Sequence, residues 1–431
     1  MRVLLNWFSP LPPERSGISE FTAALAPLIR ERTQARFISE RRDFAGPGAF
    51  PGAESLGDLC PADINRADVN VYNIGNNASF HGGIWRVSSQ NPGIVILHDF
   101  RLQHLFGGVF LAERRDREGY LSLMRATYGS EGEAAASLMA TGRASPEAVS
   151  ELFPLVEVAL RGAAGVVVHS DEALQAVRAR TGLPVAKLNL PYTAGAAGRD
   201  AHPRSDRARK ELNLVVFGYI GPNRRIEAVL RALAGIELPM PVNLHLIGEL
   251  WNERVLRERA KELGLAHVLR VHGHLPEESL DLRLSQADLV VNLRWPTMGE
   301  ASYSQLRAWS HGVPTMVTAT GWYAELPRDA VIHISPDREV EEIAEVIRRL
   351  GDDPSRFGDI GGRGRQLLAE QYTPESYVDG LLAFAGKLAG STQAVQRKLA
   401  SRVCHELLVH GDASTDLTLD CAARALHGFL A

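Results

Sequence analysis

The chain has 431 residues, 45% apolar and 23% charged, enough for two domains of ordinary size with large cores. Its 47 Lys and Arg against 51 Asp and Glu leave a formal charge of −4, which argues against a nucleic-acid binder needing a strong basic field. Cys60, Cys404 and Cys421 have no paired spacing, so neither a disulfide framework nor a zinc site is suggested, and no apolar run approaches the ~20 residues of a membrane span.

In chain order, Met1 to Phe8 reads as a buried strand rather than a signal peptide, which sets the expectation of a cytoplasmic enzyme. A proline-rich loop follows, and Ser16-Gly17-Ile18-Ser19 opens an amphipathic helix to about Arg32, with Phe21, Leu25, Leu28 and Ile29 on one face. Residues 40 to 62, rich in Gly, Pro and Asp, read as a surface connection. Asp68 to Ile74 and Gly93 to Leu97 are strands, the second ending in His98-Asp99. Residues 100 to 163 read as helical and irregular. There Arg101, Arg114, Arg115 and Arg117 interleave with Glu113, Asp116 and Glu118, the pattern of a solvated helix face. A further strand runs from Gly165 to Ser170, a helix starts at Asp171, and the polar stretch from Thr193 to Arg209 reads as a linker.

Strand and helix then alternate again. Leu212 to Ile220 leads through the turn Gly221-Pro222-Asn223-Arg224-Arg225 into a helix from Ile226 to about Leu233. Val242 to Gly248 is a strand, Asn252 to Leu263 a helix, and Val268 to Val271 a strand before His272-Gly273-His274, a pair read as structural. A helix from Glu277 to Ala287 precedes the apolar run Leu289 to Leu293, a β-branched strand closed by Pro296. A loop with Gly299, Glu300, Ala301 and Ser302 opens a helix from Ser302 to His311, with Gly312 placed for a left-handed C-terminal cap. Later elements are strands at Val313 to Val317 and Val331 to Ile334, and helices at Glu339 to Leu350, Gly361 to Gln371 and Pro374 to Leu388. Gly390 to Ala431 reads as two short amphipathic helices suited to homodimerisation or to simple packing. The alternation predicts an α/β chain of two Rossmann-like domains facing each other across a cleft. The expected limits are 1–195, 210–375, and a crossover helix with a helical tail at 376–431.

Strand, small-residue loop and helix in succession set free N–H donors and the positive end of a helix dipole at the carboxyl edge of a sheet, an anion site. The stretch from 288 to 326 resembles the donor-binding signature of retaining glycosyltransferases with the GT-B fold, the large family 4 group. Glu300 matches that signature's first acid, Gly312-Val313-Pro314 its end, and Gly321 with Glu325 the loop beyond. Arg307 stands where the family carries a second acid that holds the donor ribose. The family pattern also sets an Arg after the strand glycine and a Lys five residues on; Tyr219 takes the first place and Arg224 the second, with Arg225 or Arg307 as substitutes for the missing charge.

The resemblance implies a metal-independent retaining glycosyltransferase that moves a sugar from a nucleotide-sugar co-substrate to an acceptor, with no other cofactor. No Asp-x-Asp element occurs in the chain, so the departing diphosphate would be met by arginine and main-chain amides. His98, Glu300 and Arg224 are the catalytic candidates, His98 matching a family histidine that points toward the transferred sugar. Gly17, Ser170, Tyr219, Arg224, Arg225, Gly299, Glu300, Ala301, Ser302, Tyr303 and Arg307 are the donor-binding set, and no metal ligand is assigned. The two departures motivate an alternative, a catalytically degenerate nucleotide-sugar-binding partner of an active glycosyltransferase.

Overall fold

The computed structural model describes residues 2–14, 16–41, 50–193, 210–353 and 355–389. The tail helices expected from Gly390 onward, nearly all of the expected linker, Cys404 and Cys421 lie outside the described residues. The chain divides into two compact units. Among the described residues, the first comprises those within Met1–Asn189, Met298–Glu300 and Pro374–Ala389; the second comprises those within Leu190–Thr297 and Ala301–Thr373.

The first unit holds a seven-stranded sheet in the order β3-β2-β1-β4-β5-β6-β7. Its strands are β1 (Leu4–Phe8), β2 (Gln34–Ser39), β3 (Ala53–Ser55), β4 (Val69–Ile74), β5 (Ile94–Leu97), β6 (Gly165–Val168) and β7 (Val185–Lys187). Every pairing is parallel. Strands β2 and β3 fall where no strand is expected from sequence. Gln-Ala-Arg-Phe-Ile-Ser follows the first helix without an apolar run, and Ala-Glu-Ser is three residues of poor β propensity. Tertiary partners supply what propensity lacks: Arg36 on β2 is paired in bidentate fashion with Glu54 on β3, at 2.9 and 2.5 Å.

The second unit holds a six-stranded parallel sheet in the order β10-β9-β8-β11-β12-β13. These are β8 (Leu212–Phe217), β9 (Val242–Ile247), β10 (Leu269–Gly273), β11 (Leu289–Asn292), β12 (Thr315–Thr318) and β13 (Ile332–Ile334). Alternate residues of β8 serve opposite faces. Leu212, Leu214 and Val216 pack with Val229 and Leu233, while Val215 and Phe217 join Ile247, Ala308 and Val313. A strand covered on both faces has to be apolar throughout, which is why these segments read as continuous hydrophobic runs. Strand β12 begins at Thr315, two residues later than expected, because Pro314 has no N–H for the ladder.

In both sheets the first strand has a neighbour on each side reached by crossovers of opposite direction. The switch points lie between β1 and β4 and between β8 and β11. Ligands of doubly wound sheets bind beyond the carboxyl ends of the strands at such points. The described structure thus has two Rossmann-like units, as the strand–helix alternation predicts.

Candidate functional site

At the switch point of the second sheet, a turn after β8 brings Arg224 back over the strand ends. Its side chain is 1% exposed. Nη1 donates to Oδ1 of Asn292, the last residue of β11, at 2.6 Å, and Nη2 donates to the carbonyl of Phe217. Gly218, with φ +95°, lies over the guanidinium: a Cβ there would sit 3.7 Å from Arg224 Nη2 and 3.6 Å from Ser304 Oγ. The buried cation and the first turn of helix Tyr303–Ser310 therefore flank one point, where the strand backbone turns under a residue lacking a side chain.

That helix starts where sequence places it. Ser302 is its N-cap, 4% exposed, its Oγ accepting the Gln305 N–H at 3.1 Å. Gly312, at φ +63°, closes the far end. The first turn of this helix carries the positive end of its dipole, the feature that attracts anions. Tyr303 itself packs on Tyr192, ring centroids 5.0 Å apart.

The other two arginines expected at the donor are held in salt bridges. Arg225, in the left-handed region at φ +58°, places its guanidinium against Glu339, 6% exposed, through Nε at 3.0 Å and Nη2 at 2.7 Å. This ion pair ties the turn to helix Glu339–Asp352, and its charge is already balanced. Arg307 meets Asp281 of helix Glu277–Gln286 at 2.9 Å, and His311 reaches the same carboxylate at 3.0 Å. Neither arginine stands where it would replace a missing phosphate-binding charge without first breaking a salt bridge.

The glycine and acid of the signature also have structural duties. Gly299 adopts φ +82°, and a Cβ on it would come within 2.1 Å of the Phe100 ring, so glycine is required here by backbone and neighbour alike. Glu300 accepts the Met298 N–H at 2.8 Å, closing its own loop. Tyr219 is 55% exposed and leans over Gly221. Ala301 lies half-buried between the loop and the cap.

At the switch point of the first sheet, His98 follows β5 and is 8% exposed. Asn73 on β4 fixes its state. Asn73 Nδ2 donates to the Phe8 carbonyl at 3.0 Å, so Oδ1 is the atom that faces His98 Nε2 at 2.9 Å. Nε2 therefore carries the proton, and Nδ1 holds the lone pair. Burial first, then His169 and His81, push the His98 pKa well below its ordinary value, so the ring is neutral. Phe21 meets it edge-on at 4.9 Å, and His169 lies 5.2 Å away. Ser170 caps helix Asp171–Arg180 by accepting the Ala173 N–H at 3.0 Å and is 1% exposed, a helix-terminus role rather than an open ligand contact. Gly17 opens helix Gly17–Arg32, and nothing lies within 4 Å of its missing Cβ.

Sequence reasoning passed over Asn73, Asn292, Ser304 and Gln305. The signal existed for the asparagines: each is a polar residue in a buried strand, where an unpaired amide would be costly. Among the described residues no group of three His, Cys, Asp or Glu side chains is gathered to hold a metal ion.

The class these features define is the GT-B glycosyltransferase fold. The chain superposes on Anabaena Alr3699/HepE in complex with UDP and glucose with a TM-score of 0.58 at 15% identity, over 89% of this chain and 100% of that one. WaaG, a glycosyltransferase involved in lipopolysaccharide biosynthesis, gives 0.58 at 15% identity over 90% and 100%. Sucrose-phosphate synthase from Thermosynechococcus elongatus gives 0.59 at 15% identity over 90% and 100%. Residues 199–367, nearly all of them in the second unit, match the model of the glycosyl transferases group 1. It is also 24% identical over 204 residues to the MMP α-(1→4)-mannosyltransferase of Mycolicibacterium hassiacum, a match spanning 47% of this chain and 46% of that protein.

Proposed function

We propose that the protein is a retaining, metal-independent glycosyltransferase that takes its sugar from a nucleotide-sugar donor. The observation that carries this reading is that buried Arg224 and the first turn of helix Tyr303–Ser310 flank Gly218 at the switch point of the second sheet. In the reaction the bond between the anomeric carbon and the diphosphate oxygen breaks and a bond to an acceptor hydroxyl oxygen forms. The acceptor proton passes to the departing diphosphate, and the anomeric configuration is kept by attack from the same face.

The chain's residues have one main task, to stabilise negative charge growing on the leaving diphosphate. A preorganised cation and fixed amides do this without reorganisation at the moment of reaction. The match of residues 199–367 to the glycosyl transferases group 1 and the UDP and glucose held by the HepE fold relative support a nucleotide-sugar donor. In this reading Glu300 accepts from sugar hydroxyls, and His98 contacts the sugar with its state fixed by Asn73.

A panel of UDP-, GDP-, ADP- and dTDP-sugars in a thermal-shift assay tests donor binding. A ligand at 100 times its dissociation constant stabilises by about 2.7 kcal/mol. A second reading, a degenerate nucleotide-sugar-binding partner, is favoured by Arg307 standing in place of an acid and held by Asp281. Nucleoside-diphosphate release by the wild type and by Glu300→Gln separates the two. A large loss in the variant supports the enzyme, and equal background rates support the partner.

A further inference from the structure

Arg224 does not hold its position alone. It donates from Nη1 to Asn292 Oδ1 at 2.6 Å; Asn292 Nδ2 donates to Gln305 Oε1 at 3.0 Å and to Ser302 Oγ at 3.3 Å; Gln305 Nε2 donates to Thr315 Oγ1 at 2.6 Å. All of these residues are buried, none more than 4% exposed. The direction of every link follows from the first. Arginine can only donate, so the carbonyl end of Asn292 must face it, which turns the amide end to Gln305 and fixes that amide in turn. The chain starts on a cation and runs through three elements: the end of β11, the first turn of helix Tyr303–Ser310, and the start of β12. It touches the N-cap as well.

We infer that Asn292 and Gln305 are positioning residues that lock the Arg224 guanidinium and the amide-bearing helix start into one rigid anion cradle. This rests on the reading of the second unit as the donor site. The amides of Asn292 and Gln305 touch no ligand in this scheme; they decide where the charge points. Their neutrality is part of the function. A carboxylate at 292 would keep the shape but set a negative charge directly against Arg224, weakening its pull on a diphosphate.

The test is calorimetric titration of the full chain with UDP, GDP and ADP and with the matching nucleosides. Asn292→Asp is sterically conservative. Gln305 can turn its amide so that Nε2 donates to the new carboxylate while Oε1 accepts from the Thr315 hydroxyl. Gln305→Glu is the second variant, with its charge one link further from Arg224. We expect diphosphate affinity to fall roughly ten- to a hundredfold in Asn292→Asp, the size of one charge-assisted contact, and less in Gln305→Glu. Nucleoside affinity and thermal unfolding should stay near those of the wild type. If the wild type binds a diphosphate and Asn292→Asp binds it equally well, the inference fails alone. Equal losses for nucleoside and diphosphate also overturn it, since they indicate general disruption. If the wild type binds no diphosphate, the donor-site reading fails and takes the inference with it. Should Asn292→Asp not fold, Gln305→Glu decides by the same comparison of diphosphate with nucleoside.

Discussion

Asn73 and Asn292 hold corresponding places in the two units, each near the end of the strand beside its switch point and each hydrogen-bonded to a candidate site side chain. Asn73 keeps a buried histidine neutral with its proton on Nε2. Replacing it with Asp would set a carboxylate against that N–H and favour the charged ring, so the His98 pKa should rise, as an NMR titration of the ring would show. Asn73→Ala would leave the Nε2–H without its acceptor. That change should cost about 1–3 kcal/mol of stability in urea unfolding. These residues were legible only in part. An asparagine in a buried strand marks an internal hydrogen bond but does not say with what, since the partner lies tens of residues away in sequence. The arginine turn shows the reverse: Arg224 and Arg225 look alike in sequence, and only the fold sends one to Asn292 and the other to Glu339.

Among the elements, helix Tyr303–Ser310 was the most readable, because its start and stop rest on local chemistry: a serine cap and a left-handed glycine. Ser302→Ala removes both the cap and one acceptor of Asn292. It should cost about 0.5–2 kcal/mol in thermal unfolding and also weaken diphosphate binding, whereas loss of a cap alone would change only stability. The loop before it was read correctly as small residues but for another reason. Gly299 is demanded by its positive φ and by the Phe100 ring, so Gly299→Ala should destabilise the chain by roughly 1–3 kcal/mol, measured by urea unfolding. Strands β2 and β3 escaped sequence reading because their order depends on pairing and on the Arg36–Glu54 bridge rather than on propensity.

At the scale of the whole molecule, acid tolerance is set by histidines buried in their neutral form. Burial lowers His81, His169 and His245 from about 6.5 to about 4, the first two despite hydrogen bonds to Asn73 and Leu188 carbonyls, His245 further helped by His272. The unfolded chain takes up these protons near 6.5 and the folded chain only near 4. Their stabilisation is therefore complete above the ordinary value and is lost as pH falls between the two, by up to about 3 kcal/mol for the fully buried His81 and His169 and by less for His245, where solvent screens the charge. Melting temperature should thus decline from pH 7 toward pH 4.5, and a flat profile there would contradict the buried neutral state. Two-unit α/β architecture was readable from alternation alone, since parallel strands need crossovers long enough to leave a helical period in the sequence.

In the proposed function, charge on a departing diphosphate is met by Arg224 and main-chain amides, without a metal ion. The most direct measurement is nucleoside-diphosphate release from the nucleotide sugar that the thermal-shift panel selects, with a metal chelator present, for the wild type and Arg224→Gln. The account predicts turnover that survives chelation and falls on the order of 10²–10³-fold in the variant. Turnover that vanishes with the chelator, or that is the same in both proteins, would contradict it.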